Sequence, residues 1–235
     1  MSPFSLARSL CRLRRRERYD YCLEATVWFD VKPGYLGAYL NDGFAPPALP
    51  ALVAELRAAL PRVVGALPLV NAWAYKYGGH GDADAGIRPH ADNARVNLNL
   101  WLTPDEFHEP APRAANGTGR GGGGGGAAAA RDARDDEEDA SAFEYPGGLT
   151  VYGCEAPNEE AGLRDWNDFT EEARIRAWID DPSRPCLARA RRVRYRRNRA
   201  VIFDSDLLHE TARYRFGGGY RGRRINLTLL FGSRD

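Results

Sequence analysis

The chain has 235 residues, 43% hydrophobic and 28% charged, with a formal net charge of +1. That length and balance suit one globular domain with a sizeable core, and near-neutrality gives no pull toward nucleic acid or an anionic membrane. No apolar run approaches the roughly 20 residues that span a bilayer. Arginine outnumbers lysine so heavily (Lys32 and Lys76 are the only lysines) that arginine clusters alone carry no functional weight.

The N-terminal stretch MSPFSLARSLCRLRRR contains arginine and serine and no acid before Glu17. Residues 1–20 are therefore a basic segment with two open readings, an organelle-targeting peptide or a first helix over residues 3–18. Residues 21–235 are expected to form a single domain. EATVWFDV, residues 24–31, alternates as a strand does. Leu49, Leu52, Val53, Leu56 and Leu60 make one helical stripe that Pro61 closes. LVNAWAYKY reads as an aromatic strand ending at Gly78-Gly79. ARVNLNLWLT alternates strictly, with Val96, Leu98, Leu100 and Leu102 on one face and Asn97, Asn99 and Trp101 on the other.

Residues 105–145 change character, with a glycine run, an alanine run and a block of acids. Such a composition buries too little apolar surface to offset its ordering entropy, so a disordered insertion between two strands is expected. The glycine run lacks the G-K-[ST] of a phosphate loop. GGLTVYG reads as the next strand and DWNDFTEEARIRAWID as a surface helix, with Trp166, Phe169, Ala173 and Trp178 inward. The strands ARARRVRYR, RAVIFDSD and LLHETARYR follow, and Gly217-Gly218-Gly219 turns the chain into RRINLTLLFG. This order predicts a mainly β structure, closed or sandwiched, with helices packed outside. The cysteines Cys11, Cys22, Cys154 and Cys186 contain no C-x-x-C pair and read as reduced thiols of an intracellular, most simply cytoplasmic, protein.

Chemistry concentrates in three places. His90-x-Asp92 puts an imidazole and a carboxylate on one side of an extended segment. His209 opens a later strand, where a barrel can return it over that pair. Two imidazoles and one carboxylate leave metal positions open and suit non-haem Fe(II). Arg224, Asn226 and Thr228 share one face of the last strand, a polar face headed by a guanidinium that matches a carboxylate. Arg223 is its neighbour on the opposite face. Asp204 and Asp206 stay open as rival ligands, as supports of His209 or as turn residues.

H-x-D, a distal His and an Arg shortly after it resemble the 2-oxoglutarate/Fe(II)-dependent dioxygenases, in the prolyl-hydroxylase-like pattern, over residues 70–104 and 147–232. The resemblance implies a double-stranded β-helix (jelly roll) with flanking helices. It implies His90, Asp92 and His209 as iron ligands and Arg224 as partner of the distal carboxylate of 2-oxoglutarate. Fe(II), 2-oxoglutarate and O2 are then the cofactor and co-substrates, and a substrate is hydroxylated with release of succinate and CO2. Asn226 stands where the family often has Ser or Thr, with Thr228 one step on. Tyr77, and as an alternative Tyr75, match an upstream tyrosine of similar proteins. Asn97 and Asn99 are open to co-substrate contact or to interior packing. The resemblance leaves the substrate open, a small molecule or a peptide, with no membrane partner. RINLT also resembles the nucleic-acid-dealkylating branch, R-x-N-x-x-x-R, but Leu230 stands at the second arginine. A non-catalytic jelly-roll or cupin-like binding protein is the other alternative.

Overall fold

The computed structural model describes residues 4–7, 15–25, 27–78, 86–110, 145–157 and 172–233. Period-two alternation governs its architecture. In β5 (Val96–Trp101), Leu98 and Leu100 face one side while Trp101 faces the other. In β10 (Ile225–Phe231), Ile225, Leu227 and Leu229 join the same side as those leucines. These strands pair antiparallel at the centre of a seven-stranded sheet. Beyond β5 lie β8 (Ala200–Asp204) and β1 (Phe4–Ala7), and beyond β10 lie β4 (Leu69–Tyr77), β3 (Tyr35–Tyr39) and β2 (Asp30–Lys32). A second sheet holds β7 (Arg191–Val193), β6 (Leu149–Glu155) and β9 (Leu207–Thr211), in that order.

The two faces of the large sheet have different partners. Its outer face packs under α1 (Arg15–Glu24) and α2 (Leu49–Ala59), where Tyr19, Cys22, Leu52 and Leu56 meet Leu98, Leu100, Leu227 and Leu229. Each buried leucine is worth roughly 1.5–3 kcal/mol, so the α2 stripe suffices to dock the helix. Its inner face meets the small sheet, with Tyr77, Trp101, Val201 and Phe203 against Leu149 and Val151. A third helix, α3 (Glu172–Asp180), packs Ile175 and Ile179 against Ala91, Tyr152 and Leu208.

Several expectations need correction. Residues 4–7 form a strand paired with β8, not the start of a helix over 3–18; the helix begins at Arg15. Pairing across an otherwise open sheet edge overrides local helical preference. EATVWFDV is not one strand. Helix α1 runs to Glu24, and the Trp28 indole folds back to donate to the Cys22 carbonyl at 3.1 Å. Only Asp30–Lys32 extends, in a hairpin with β3 that the sequence reading missed. Cys154 and Cys186 form a disulfide rather than two thiols, while Cys22 is a buried thiol. Ala173 is exposed, Ile175 and Ile179 are the buried positions of α3, and Trp178 packs half-buried beside them as expected. Residues 105–110 are ordered, with a 3-10 turn at Asp105–Phe107 and His108 bridged to Phe216, so the expected disorder does not begin at 105. The rest of that insertion through residue 144, and Cys11, Trp166 and Phe169, lie outside the described residues.

Candidate metal centre

His90 and His209 face each other as an antiparallel pair, each backbone N–H donating to the other's carbonyl, at 3.0 and 2.8 Å. The segment carrying His90 thereby extends the small sheet beyond β9. Both rings are oriented alike. His90 Nδ1 lies 2.8 Å from the Arg88 carbonyl and His209 Nδ1 lies 3.0 Å from the Leu207 carbonyl. A carbonyl only accepts, so each Nδ1 carries the proton and each Nε2 offers its lone pair inward. Asp92 completes the group, with Oδ1 3.8 Å from His90 Nε2 and Oδ2 3.4 Å from His209 Nε2. One ligand atom from each of the three lies within 4.8 Å of the others, the only such cluster among the described residues.

The protonation states suit a cation. Burial, with the neighbouring His209, pushes the His90 pKa down to about 4, so this imidazole is neutral at pH 7. Burial acts to raise the Asp92 pKa, but the close contacts with His209 and His90 and the hydrogen bond from Asn97 outweigh it and leave the pKa lowered. Backbone bonds hold Asp92 in place: its N–H donates to the Ser205 carbonyl at 3.1 Å, and Ser205 Oγ donates back to the Asp92 carbonyl at 2.8 Å. Asp204 and Asp206 are not in the cluster. Asp204 is exposed, and its Oδ1 accepts from the Asp206 N–H at 3.2 Å, a turn contact.

Arg224 lies deeper on the same inner face, only 1% exposed. Its guanidinium donates to the carbonyls of Gly147 at 2.8 Å and Gly148 at 3.3 Å, and to Asn226 Oδ1 at 3.3 Å. It lies over the Tyr77 ring, 4.6 Å from the centroid. Glycine at 148 is required by the close approach of β7, because a Cβ there would sit 1.8 Å from the Val193 carbonyl oxygen. Among the described residues no carboxylate pairs with Arg224. An isolated buried charge with only neutral acceptors is costly unless an anion joins it. Arg223 points elsewhere, over the Tyr220 ring, as its position on the strand predicted.

A row of polar side chains joins Arg224 to Asp92. Asn226 donates to Asn99 Oδ1 at 3.4 Å, Asn99 to Asn97 Oδ1 at 2.8 Å, and Asn97 to Asp92 Oδ2 at 2.6 Å. Thr228 braces it by donating to Asn99 Oδ1 at 3.1 Å. Asn97 and Asn99 therefore bond to each other within this row. The sequence had marked both as inward, but not the contact of Asn97 with Asp92.

Two cavities meet at the cluster. The inner one is lined by His90, Asp92, His209, Arg224, Asn226 and Tyr77 among others. The outer one, about 280 Å³, opens past His90 and Asp92 between Tyr35, Tyr39, Trp73 and Tyr75. Tyr75 lines both, so the two tyrosines of β4 divide, Tyr77 toward Arg224 and Tyr75 toward the junction. Trp73 was not foreseen, although its spacing of two from Tyr75 places it on the same face. Across the outer cavity Arg88 is paired with Glu172 of α3.

No family profile matches the sequence, and no curated protein matches it. Solved structures do. A prolyl hydroxylase from Trichoplax adhaerens, in complex with a hypoxia-inducible-factor peptide fragment, is 12% identical with a TM-score of 0.52, covering 99% of this chain and 84% of its own. HygX from Streptomyces hygroscopicus, with nickel and 2-oxoglutarate bound, is 14% identical with a TM-score of 0.53, covering 98% and 83%. The epimerase SnoN, in complex with Fe3+, alpha ketoglutarate and nogalamycin RO, is 12% identical with a TM-score of 0.53, covering 98% and 79%. The fold is a double-stranded β-helix. Within it, the position of the second arginine in the dealkylating pattern is Leu230, buried with Trp73 and Ala94, so this strand supplies no second cation there.

Proposed function

We propose that the chain is an Fe(II)- and 2-oxoglutarate-dependent dioxygenase that hydroxylates a small molecule or a peptide. The observation that carries this reading is Arg224, a buried guanidinium without a carboxylate partner, lining the same inner cavity as His90, Asp92 and His209. Two imidazole nitrogens and one carboxylate fit Fe(II) on one side and leave its other positions to ligands. When bound, iron supplies O2 activation coupled to oxidative decarboxylation of 2-oxoglutarate, one oxygen atom going to succinate and the other to the substrate.

The protein's own part is to bind, orient and exclude water. His90, Asp92 and His209 hold the ion, each histidine kept in one tautomer by its backbone carbonyl. Arg224 takes the distal carboxylate of 2-oxoglutarate. Asn226 keeps the fork turned toward the cavity, replacing the more usual Ser or Thr, and Tyr77 screens the guanidinium from water. The outer cavity receives the substrate between the rings of Tyr39, Trp73 and Tyr75, close to His90 and Asp92. One structural neighbour holds a hypoxia-inducible-factor peptide fragment and another nogalamycin RO, which supports that range of substrates.

Succinate formation from 2-oxoglutarate, with and without Fe(II), tests the reading. Activity is expected only with iron, and His209→Ala is expected to abolish it. A wild-type protein that binds iron but forms no succinate would instead be a binding protein of the same fold.

A further inference from the structure

We propose that Asn97 and Asn99 are positioning residues that tie the Asp92 ligand to the Arg224 end of the site. This rests on the reading of His90, Asp92 and His209 as metal ligands.

The direction of the hydrogen bonds is forced by its two ends. A guanidinium only donates and a carboxylate only accepts. Every amide between Arg224 and Asp92 must therefore turn its oxygen toward Arg224 and its nitrogen toward Asp92. The row Arg224→Asn226→Asn99→Asn97→Asp92 satisfies this at each step, and the separations shorten from 3.3 and 3.4 Å to 2.8 and 2.6 Å as it nears the carboxylate. All three amides are buried, at 0% exposure for Asn97, 6% for Asn99 and 3% for Asn226. In such surroundings aligned hydrogen bonds polarise one another, and a broken link leaves costly unpaired groups. The same inner face carries Trp101, Val201 and Phe203, so apolar filling was open to it.

Two consequences follow for the ligand. The Asn97 bond engages Asp92 Oδ2 at 2.6 Å and so sets which way the carboxylate plane turns. It also fixes the carboxylate before metal arrives, as the carbonyls of Arg88 and Leu207 fix the two histidines. Asn99 lines the same inner cavity but hydrogen-bonds to neither Asp92 nor Arg224, so without co-substrate its effect on Asp92 is carried by Asn97.

The test needs no co-substrate and no turnover. In the unmodified metal-free protein, Zn(II) is titrated while the side-chain NH2 resonances are followed by NMR. Asn97 is expected to shift most, then Asn99, then Asn226. No shift at Asn99 on metal uptake overturns the proposal. Mn(II) affinity is then measured for Asn99→Leu, which cuts the row, and for Thr228→Val, which removes a hydroxyl that accepts from Asn226 and donates to Asn99 but leaves the amide-to-amide bonds in place. Loss of a group that orients a ligand typically weakens metal binding by about 10-fold or more. Asn99→Leu is expected to show that loss, and Thr228→Val less than about 3-fold. If Asn99→Leu does not fold, Asn226→Ala cuts the next link and is expected to weaken Mn(II) binding as well. Mn(II) affinity within about twofold of wild type after either cut, with only thermal stability reduced, assigns these asparagines to packing and overturns the proposal. That failure is distinct from failure of the function, which shows as absent succinate in a protein that still binds metal; a wild type that takes up no divalent ion removes both.

Discussion

Replacing Arg224 by methionine separates its service to the fold from its service to a ligand. The side chain donates three hydrogen bonds, to Gly147, Gly148 and Asn226, and has no carboxylate partner among the described residues. Orphaning buried acceptors costs about 1–3 kcal/mol each. Removing an uncompensated buried cation returns a comparable amount, and methionine fills most of the volume. Ligand-free stability is therefore expected to change by little. The ligand-dependent part is different. Breaking a buried charge-assisted pair costs about 2–5 kcal/mol, a roughly 30-fold to several-thousand-fold loss of 2-oxoglutarate affinity. The assay is thermal unfolding with Mn(II), without O2, with and without 2-oxoglutarate at about 100 times its Kd. Mass action gives the wild type about 2.7 kcal/mol of added stability, or about 5–10 °C for a chain of this size. A 30-fold weaker variant keeps less than about 1 kcal/mol. If Arg224→Met retains the full shift, 2-oxoglutarate does not use Arg224, and the assignment fails.

Reduction, or Cys154→Ser, opens a loop whose ends are 32 positions apart. Chain-entropy reasoning puts the cost at about 3–4 kcal/mol. Chemical denaturation should show that loss, and an unchanged midpoint would mean that the disulfide does not form in solution. His108 gives a pH prediction: burial lowers its pKa to about 4, and it stacks on Phe216 and packs at a tilt against Tyr195. From about pH 6.5 down to 4 the unfolded chain binds this proton more readily than the folded one, so stability falls as pH falls, by up to about 3 kcal/mol. His90 contributes over the same window, so His108→Gln should make that limb of the stability curve shallower, and an equal slope in both proteins would disprove the attribution.

The parts of the fold legible in the sequence were those set by strict alternation. In β5 and β10 every second residue is apolar, so both the strand and the buried face followed, and with them the inward direction of Asn97, Asn99, Asn226 and Thr228. The grouping of His90, Asp92 and His209 was legible because few residue types can hold a metal and the chain has only four histidines. What failed depended on distant partners. Phe4–Ala7 lies in a segment that also admits a helix, and becomes a strand only because β8 offers an edge. The disulfide depends on α3 bringing Cys186 back beside β6, which no local spacing announces. The hairpin of β2 and β3 was hidden because Trp28, read as a strand residue, serves as a lid on the end of α1.

The asparagines show where that limit falls within the site itself. An inward asparagine on a strand announces that it needs partners, but not which ones. Asn99 finds its acceptor in Asn97, two residues away, and its donors in Asn226 and Thr228, 127 and 129 positions along. The partners of Asn226 decide the rest. Its oxygen is taken by Arg224, so its nitrogen must donate onward, and the amides of Asn99 and Asn97 must follow the same orientation. A serine at 226 has one rotatable hydroxyl that can accept from Arg224 and donate to Asn99, and the orientation of Asn97 and Asn99 is already set by the acceptor-only carboxylate of Asp92. Asn226→Ser is therefore expected to weaken Mn(II) binding less than Asn226→Ala does, and equal losses in the two variants would show that the hydroxyl does not take the place of the amide.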